Sequence, residues 1–247
     1  MRWFTADLHV HTDLSPCAKA MSPGQIVRAA EEAGVDFIAI CDHNSAANVA
    51  AVQAAAASKV GILPGLEVNT REEVHLVCLF DHLEGALALQ EVVYRELPGE
   101  SDEGIFGPQW LYNEEGERIG LERRLLAGSC RLSMQAVIAF VDRLGGLVIA
   151  PHPERTYGGI IGVLGFIPKD IKLGAIEAPA LGWPRDSCLR GIPGVIASDA
   201  HRVEEIGPHM AFYMERIGLR EMDYAWRGLK GRRTYPKFLM VKEALER

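Results

Sequence analysis

Short apolar runs in this chain repeatedly stop at a histidine or an acidic residue, and stretches with helical periodicity separate them. Strand followed by helix followed by strand is an order that folds as an α/β structure with a parallel sheet, open or closed into a barrel. Phe4 to Val10 predicts the first strand. Ser22-Pro23 predicts a helix start, with Ser as N-cap and Pro at the first helical position, and Gly34 predicts its end. Val35 to Cys41 is apolar almost throughout, as strands buried on both faces are. An Ala-rich helix is expected over Ala46–Ala57, strands over Gly61–Val68 and His75–Phe80, and a helix over Leu83–Leu97 that stops at Pro98-Gly99. Ser133 caps a predicted helix reaching Leu144. Strands follow at Leu147–Ala150, Ala175–Ala178 and Val195–Ser198, and helices at Leu219–Gly228 and Lys237–Glu246. A single domain over 1–247 is expected, with an acidic inserted arm around 99–131 read as a hairpin plus a loop.

The net charge of −7 argues against broad binding to a nucleic-acid backbone, which needs Lys and Arg to displace counterions. It leaves room for a small phosphorylated substrate, whose charge a few local cations can meet. The apolar runs fall short of the roughly 18 to 20 residues of a membrane span. Met1 leads straight into the first strand, so no signal peptide is expected. Five cysteines, an odd number without CxxC spacing, read as reduced thiols in a cytoplasmic protein.

Asp7-Leu8-His9-Val10-His11 puts two imidazoles on one face of a strand, a geometry that grips a metal ion. Later runs end at Asp42-His43, at Glu67, at Pro151-His152-Pro153 and at Ser198-Asp199-Ala200-His201. Ligands of parallel α/β folds collect at the C-terminal ends of strands, so these residues can converge on one mouth. His75 fits less neatly, because it opens a strand. A pocket of imidazoles and carboxylates suits Zn, Mn or Fe.

The same blocks resemble the PHP superfamily, named for polymerase and histidinol phosphatase, and within it the free-standing metal-dependent phosphoesterases. The resemblance rests on Asp7-Leu8-His9-Val10-His11-Thr12, Ser15-Pro16, Ala39-Ile40-Cys41-Asp42-His43-Asn44, Pro64-Gly65-Leu66-Glu67, His75-Leu76-Val77, Ala150-Pro151-His152-Pro153 and Ser198-Asp199-Ala200-His201. It implies a distorted (β/α)7 barrel with two or three divalent metal ions at the strand C-termini. His9, His11, Glu67 and Asp199 would hold the first ion, and Glu67 would bridge to a second held by His75 and His152. A third would take His43, His201 and one residue from the loop after the first strand. Cys17 stands where relatives carry His, and Asp13 lies too early. Cys17 is either a thiolate ligand or a small buried residue of the Ser-Pro-Cys turn.

The implied chemistry is hydrolysis of a phosphomonoester through a metal-bridging hydroxide. Arg155, then Arg202, then Lys19 are the candidates to neutralise phosphate oxygens beside the catalytic Asp199 and His201. Asp42 reads as a partner that orients an imidazole rather than a ligand. His82 reads as a solvent-facing or capping residue at a helix start, His209 as a loop residue after Gly207-Pro208 near the site strand, Cys41 and Cys78 as core, and Cys130 and Cys188 lack metal-type spacing. Trp110 and Tyr112 share a strand face in the arm and either cover the site, meet a partner subunit or pack into the core. The leading function is a phosphatase for a small metabolite or nucleotide. The alternatives are an exonuclease acting on nucleic-acid ends and a non-catalytic metal-binding module for protein contacts.

Overall fold

The computed structural model describes residues 1–177 and 191–237. The first strand, β1 (Arg2–Val10), is followed by α1 (Pro23–Glu32), whose start lies at Ser22-Pro23 as predicted, with the Ser22 hydroxyl bonded to Gln25 Oε1 at 2.6 Å. Next come β2 (Phe37–Ile40), α2 (Val49–Ala56), β3 (Gly61–Asn69), β4 (His75–Leu79) and α3 (Leu83–Glu96). The segment after Pro98 holds one turn of helix, α4 (Glu103–Phe106), and a hairpin of β5 (Trp110–Tyr112) and β6 (Arg118–Leu121). Then follow α5 (Met134–Arg143), capped by Ser133 accepting from the Ala136 N–H, β7 (Leu147–Ala150), α6 (Ile160–Leu164), β8 (Ala175–Glu177) and β9 (Gly194–Val195). The described chain ends with β10 (Met210–Met214), α7 (Leu219–Trp226) and β11 (Arg233–Pro236). The helix predicted over Lys237–Glu246 lies outside the described residues apart from Lys237, as do Ala178 and Cys188.

One sheet runs in the order β11-β10-β1-β2-β3-β4-β7-β8-β9. Beyond β9 the chain turns back onto β1. Ala200 pairs with Val10, the His11 N–H reaches Ala200 O at 3.0 Å, and buried Asp7 accepts from the Ser198 N–H at 3.0 Å and the Gly207 N–H at 3.2 Å. These bonds nearly close a distorted barrel of β1–β4 and β7–β9, with β10 and β11 extending the sheet beside the first half of β1. Alternation along the strands builds two cores. Ile38 and Ile40 pack with Ile26, Val52 and Leu89 of the surrounding helices. Phe37, Ala39, Leu63, Val77 and Ile149, on the other strand face, pack with Met222 and Ala225 of α7.

The sheet is mixed rather than parallel throughout. β4 runs antiparallel to β3 and to β7, and β10 runs antiparallel to β1 and β11. The link between Asn69 and His75 is far too short for a crossover helix, which takes a dozen or more residues, so β3 and β4 form a hairpin. That reversal places the start of β4 at the mouth where the parallel strands end. β10 and β11 were not expected. The strand predicted to reach Ser198 stops at Val195, because the Ser198 N–H turns to Asp7. Among the described residues no helix is long and apolar enough to cross a membrane.

Candidate metal centre

Glu67, on β3, is buried at the centre of the mouth, and five imidazoles face it. Its Oε1 lies 3.0 Å from His75 Nδ1, 3.2 Å from His152 Nε2 and 3.5 Å from His9 Nε2. Its Oε2 lies 2.8 Å from His43 Nδ1 and 3.7 Å from His11 Nε2. Asp199 closes the other side, with Oδ1 at 3.2 Å from His11 Nε2 and 3.5 Å from His9 Nε2. The reversed β4 explains His75: it opens its strand, and that end is the one at the mouth.

Among the described residues, three sets of donor atoms lie close enough together to hold ions: His9, His11 and Asp199; His43, Glu67 and His75; and His11, His43 and His201. In the first, Glu67 lies alongside, 3.5 Å from His9 Nε2 and 3.7 Å from His11 Nε2. In the second, His43 stands where His152 was expected, although His152 also touches Glu67. In the third, Cys17 Sγ lies 3.4 Å from His43 Nε2. Cys17 is exposed, which removes the reading of it as a buried turn residue.

The lining fits divalent ions. His75 Nε2 and His152 Nδ1 are buried without a hydrogen-bond partner, a cost that protein interiors mostly avoid. His9 Nε2 and His11 Nε2 face each other at 3.1 Å beside two carboxylates, an array of lone pairs that cations satisfy. Burial pushes the Glu67 carboxyl up, but the imidazoles of His75, His9 and His43 outweigh it and hold it well below the usual range. Burial pushes His11 well down. For His9 the same burial is outweighed by Asp199, Glu177 and Glu67, and its pKa stands well above 6.5. Burial likewise opposes the charge on His43, but Glu67 and Cys17 bring it to about 10. Desolvation raises the Cys17 thiol, yet hydrogen bonds with His201 and His43 bring it down to about 6.

A second layer orients the imidazoles. Ser15 donates its hydroxyl to Asp42 Oδ1 at 2.7 Å and lies 2.9 Å from His11 Nδ1. The Ser15 oxygen therefore accepts from His11 Nδ1–H, which leaves the Nε2 lone pair free for the mouth. Asp42 thus reaches His11 through Ser15. Glu177, the last residue of β8, was missed in the sequence. Its Oε1 takes His9 Nδ1 at 2.9 Å and its Oε2 the His152 N–H at 2.9 Å. The signal was present, since Ala175-Ile176 is another apolar run stopping at an acid. His152 and Asp199 both have positive φ, +31° and +53°, a conformation that non-glycine residues hold only where surrounding contacts impose it. Gly158 is needed beside them, because a Cβ there would come within 2.9 Å of His75 and His152 ring atoms.

Arg155 is exposed and donates to Asp199 Oδ2 at 3.0 Å. It borders a cleft of about 260 Å³ with His152, Glu177, Ser198 and Asp199. A cleft of similar volume at the start of β7 and β8 contains none of the predicted ligands. Arg202 is exposed, and its backbone N–H bonds Glu205. Lys19 is exposed and touches the site through its backbone, whose N–H bonds His201 O. His82 lies at the start of α3, away from the site. His209 reaches toward Asp7, with Nε2 at 3.7 Å from Oδ2. Cys41, Cys78 and Cys130 are buried.

A profile of the PHP domain matches residues 7–144, more than half of the chain. The chain belongs to the PHP domain family. No curated protein sequence matches it. Among solved structures it is similar to the lesion-specific endonuclease Q of Pyrococcus furiosus, at 18% identity and a TM-score of 0.64, over 94% of this chain and 57% of that one. A second endonuclease Q structure, bound to a 27-mer duplex with an abasic lesion at its active site, gives 18% identity and a TM-score of 0.62, over 94% of this chain and 58% of that one. The PHP chain thus spans under two thirds of those nucleases. A putative metal-dependent phosphoesterase from Bifidobacterium adolescentis shares 18% identity at a TM-score of 0.55, over 81% of this chain and 88% of that one. At these identities the likeness is one of fold.

Proposed function

We propose that this PHP protein hydrolyses a phosphomonoester of a small metabolite or nucleotide. The observation that carries the reading is Glu67, whose two oxygens face different imidazoles inside a mouth that Asp199 closes. Glu67 would be shared between an ion with His9, His11 and Asp199 and an ion with His75 and His152, with His43 in reach of either. His43, His201 and Cys17 would hold a third. Zn, Mn or Fe would supply Lewis acidity and a nucleophile at neutral pH. Glu177 holds His9 and the backbone of His152 in place, and Ser15 keeps His11 Nε2 free. Arg155, drawn to Asp199 here, is placed to turn to a phosphate in the adjoining cleft, with Arg202 and Lys19 farther out.

A second reading is a nuclease, favoured by the shared fold with endonuclease Q. The net charge of −7 weighs against a long duplex footprint. The test is to incubate Mn-loaded protein with p-nitrophenyl phosphate, a panel of phosphorylated metabolites, labelled single-stranded DNA and an abasic duplex. Phosphate release from small molecules alone supports the monoesterase, and DNA cleavage supports the nuclease. Inactivity on every substrate with ions bound would leave the non-catalytic module.

A further inference from the structure

The hairpin β5–β6 is tied to the metal-lining loop after β1 by a chain of buried hydrogen bonds. Tyr112 donates its hydroxyl to Asp13 Oδ2 at 2.7 Å and its backbone N–H to Asn48 Oδ1 at 3.0 Å. Asn48 Nδ2 donates to the Trp110 carbonyl and to Thr12 Oγ1, both at 2.9 Å. Thr12 gives its N–H and its hydroxyl to the two oxygens of Asp42, each at 2.7 Å. Asp42 in turn fixes Ser15, and Ser15 fixes His11. Asp13 also clasps the far end of the loop. Its Oδ1 accepts from the Met21 N–H at 2.7 Å, its own N–H reaches Met21 O at 3.0 Å, and its carbonyl accepts from the Trp110 N–H at 2.9 Å. Cys17 lies between those two clasped residues. No side-chain member of this chain, from Tyr112 to His11, is more than 7% exposed.

We infer that Tyr112 is a positioning residue for the outer end of the metal centre. Through Asp13 and Asn48 the hairpin sets the loop from Thr12 to Met21, and with it the Cys17 thiol. A hairpin that merely covered apolar surface would need the ring of Tyr112 and not its hydroxyl. A hydroxyl donating to a buried carboxylate adds direction and carries more weight than a neutral hydrogen bond. Asp13 is therefore an anchor and not a ligand, which fits its place too early in the loop. The inference rests on the proposed reading where it concerns an outer ion, and on the loop alone where it concerns Cys17.

The test compares wild type with Tyr112→Phe, and with Asp13→Asn as the second variant. In metal-free protein, Cys17 alkylation by iodoacetamide is timed by peptide mass spectrometry. Cobalt is then titrated while the thiolate-to-cobalt absorption in the near ultraviolet is followed, with total bound metal measured in parallel. Tyr112→Phe is expected to speed Cys17 alkylation by about tenfold and to raise the cobalt concentration that fills the outer site by about tenfold. The inner ions should stay as in wild type, and the melting temperature should fall by no more than several degrees. An unchanged alkylation rate in both variants would overturn the inference, as would a loss shared by all sites together with the melting temperature. If wild type shows no thiolate absorption, the outer-ion assignment fails while alkylation still decides the role of Tyr112. Absent phosphatase activity would sink the proposed function without touching either readout.

Discussion

The two ends of the candidate metal centre are built differently. At the inner end, Glu67 is 1% exposed, and its neighbours His9 and His75 belong to β-strands. At the outer end, Cys17 is exposed and His201 partly so, and both sit on loops. The inner end takes its order from a sheet ladder and from Glu177; the outer end takes it from side-chain hydrogen bonds running back to a hairpin. Burial of a charge without compensation is costly, so the inner end should tolerate no loss of a ligand, whereas water can replace a lost partner at the outer end.

The sharpest way to break that contrast is Glu67→Gln. It should lower turnover by on the order of 10³-fold and reduce the bound metal, as read by elemental analysis. His152→Ala should likewise abolish turnover and lower metal content. Equal retention of metal in wild type and Glu67→Gln would remove Glu67 from the centre. Glu177→Gln keeps the shape but weakens the hold on His9, and should cost about 10- to 100-fold in metal affinity or activity. Calorimetric titration with Mn would show whether the affinity moves.

At the outer end, Cys17→Ser should reduce metal at one site only and leave the inner ions in place. The pH dependence of Cys17 alkylation in metal-free protein gives a finer reading. With its thiol near 6, thiolate is present at neutral pH, and the rate should fall as pH drops through about 6. A midpoint near 9 would mean that His43 and His201 do not act on the sulfur. The smallest effect lies away from the centre, at Glu221, whose carboxylate bonds Arg232 Nε at 3.0 Å and Nη2 at 2.9 Å. That bonding holds its pKa below 4.5, so the pair's stabilisation is complete above 4.5 and is lost as pH falls through the lowered value. Glu221→Gln should lower the melting temperature by a few degrees at pH 7, a difference that shrinks in acid, with metal content unchanged.

Much of this was legible in the chain because the apolar runs and their polar ends are local patterns. His9, His11, His43, Glu67, His152, Asp199 and His201 all follow from runs that stop at a metal-type residue, and the structure gathers them at one mouth. The strand direction of β4 was less legible. Its apolar pattern is the same whichever way it runs, and only the short link from Asn69 to His75 signalled the reversal. β10 escaped notice because Gly207-Pro208 reads as loop and Met210–Met214 gains its partners from β1, some two hundred residues back. Glu177 showed the same pattern as the rest and was passed over. The bonds of Asp13 and Asn48 have no sequence signature, since a buried Asn or Asp looks like any turn residue until its partners are known.

The hairpin of β3 and β4 also bears on the order in which the chain folds. His75 meets Glu67 across a separation of only 8 residues, whereas His11 meets Asp199 across 188. Closing a short loop costs less chain entropy than closing a long one, and local contacts form faster. Glu67 and His75 are therefore expected to come together early, as a nascent hairpin, and Asp199 and His201 to join them only when the far end of the chain returns to β1.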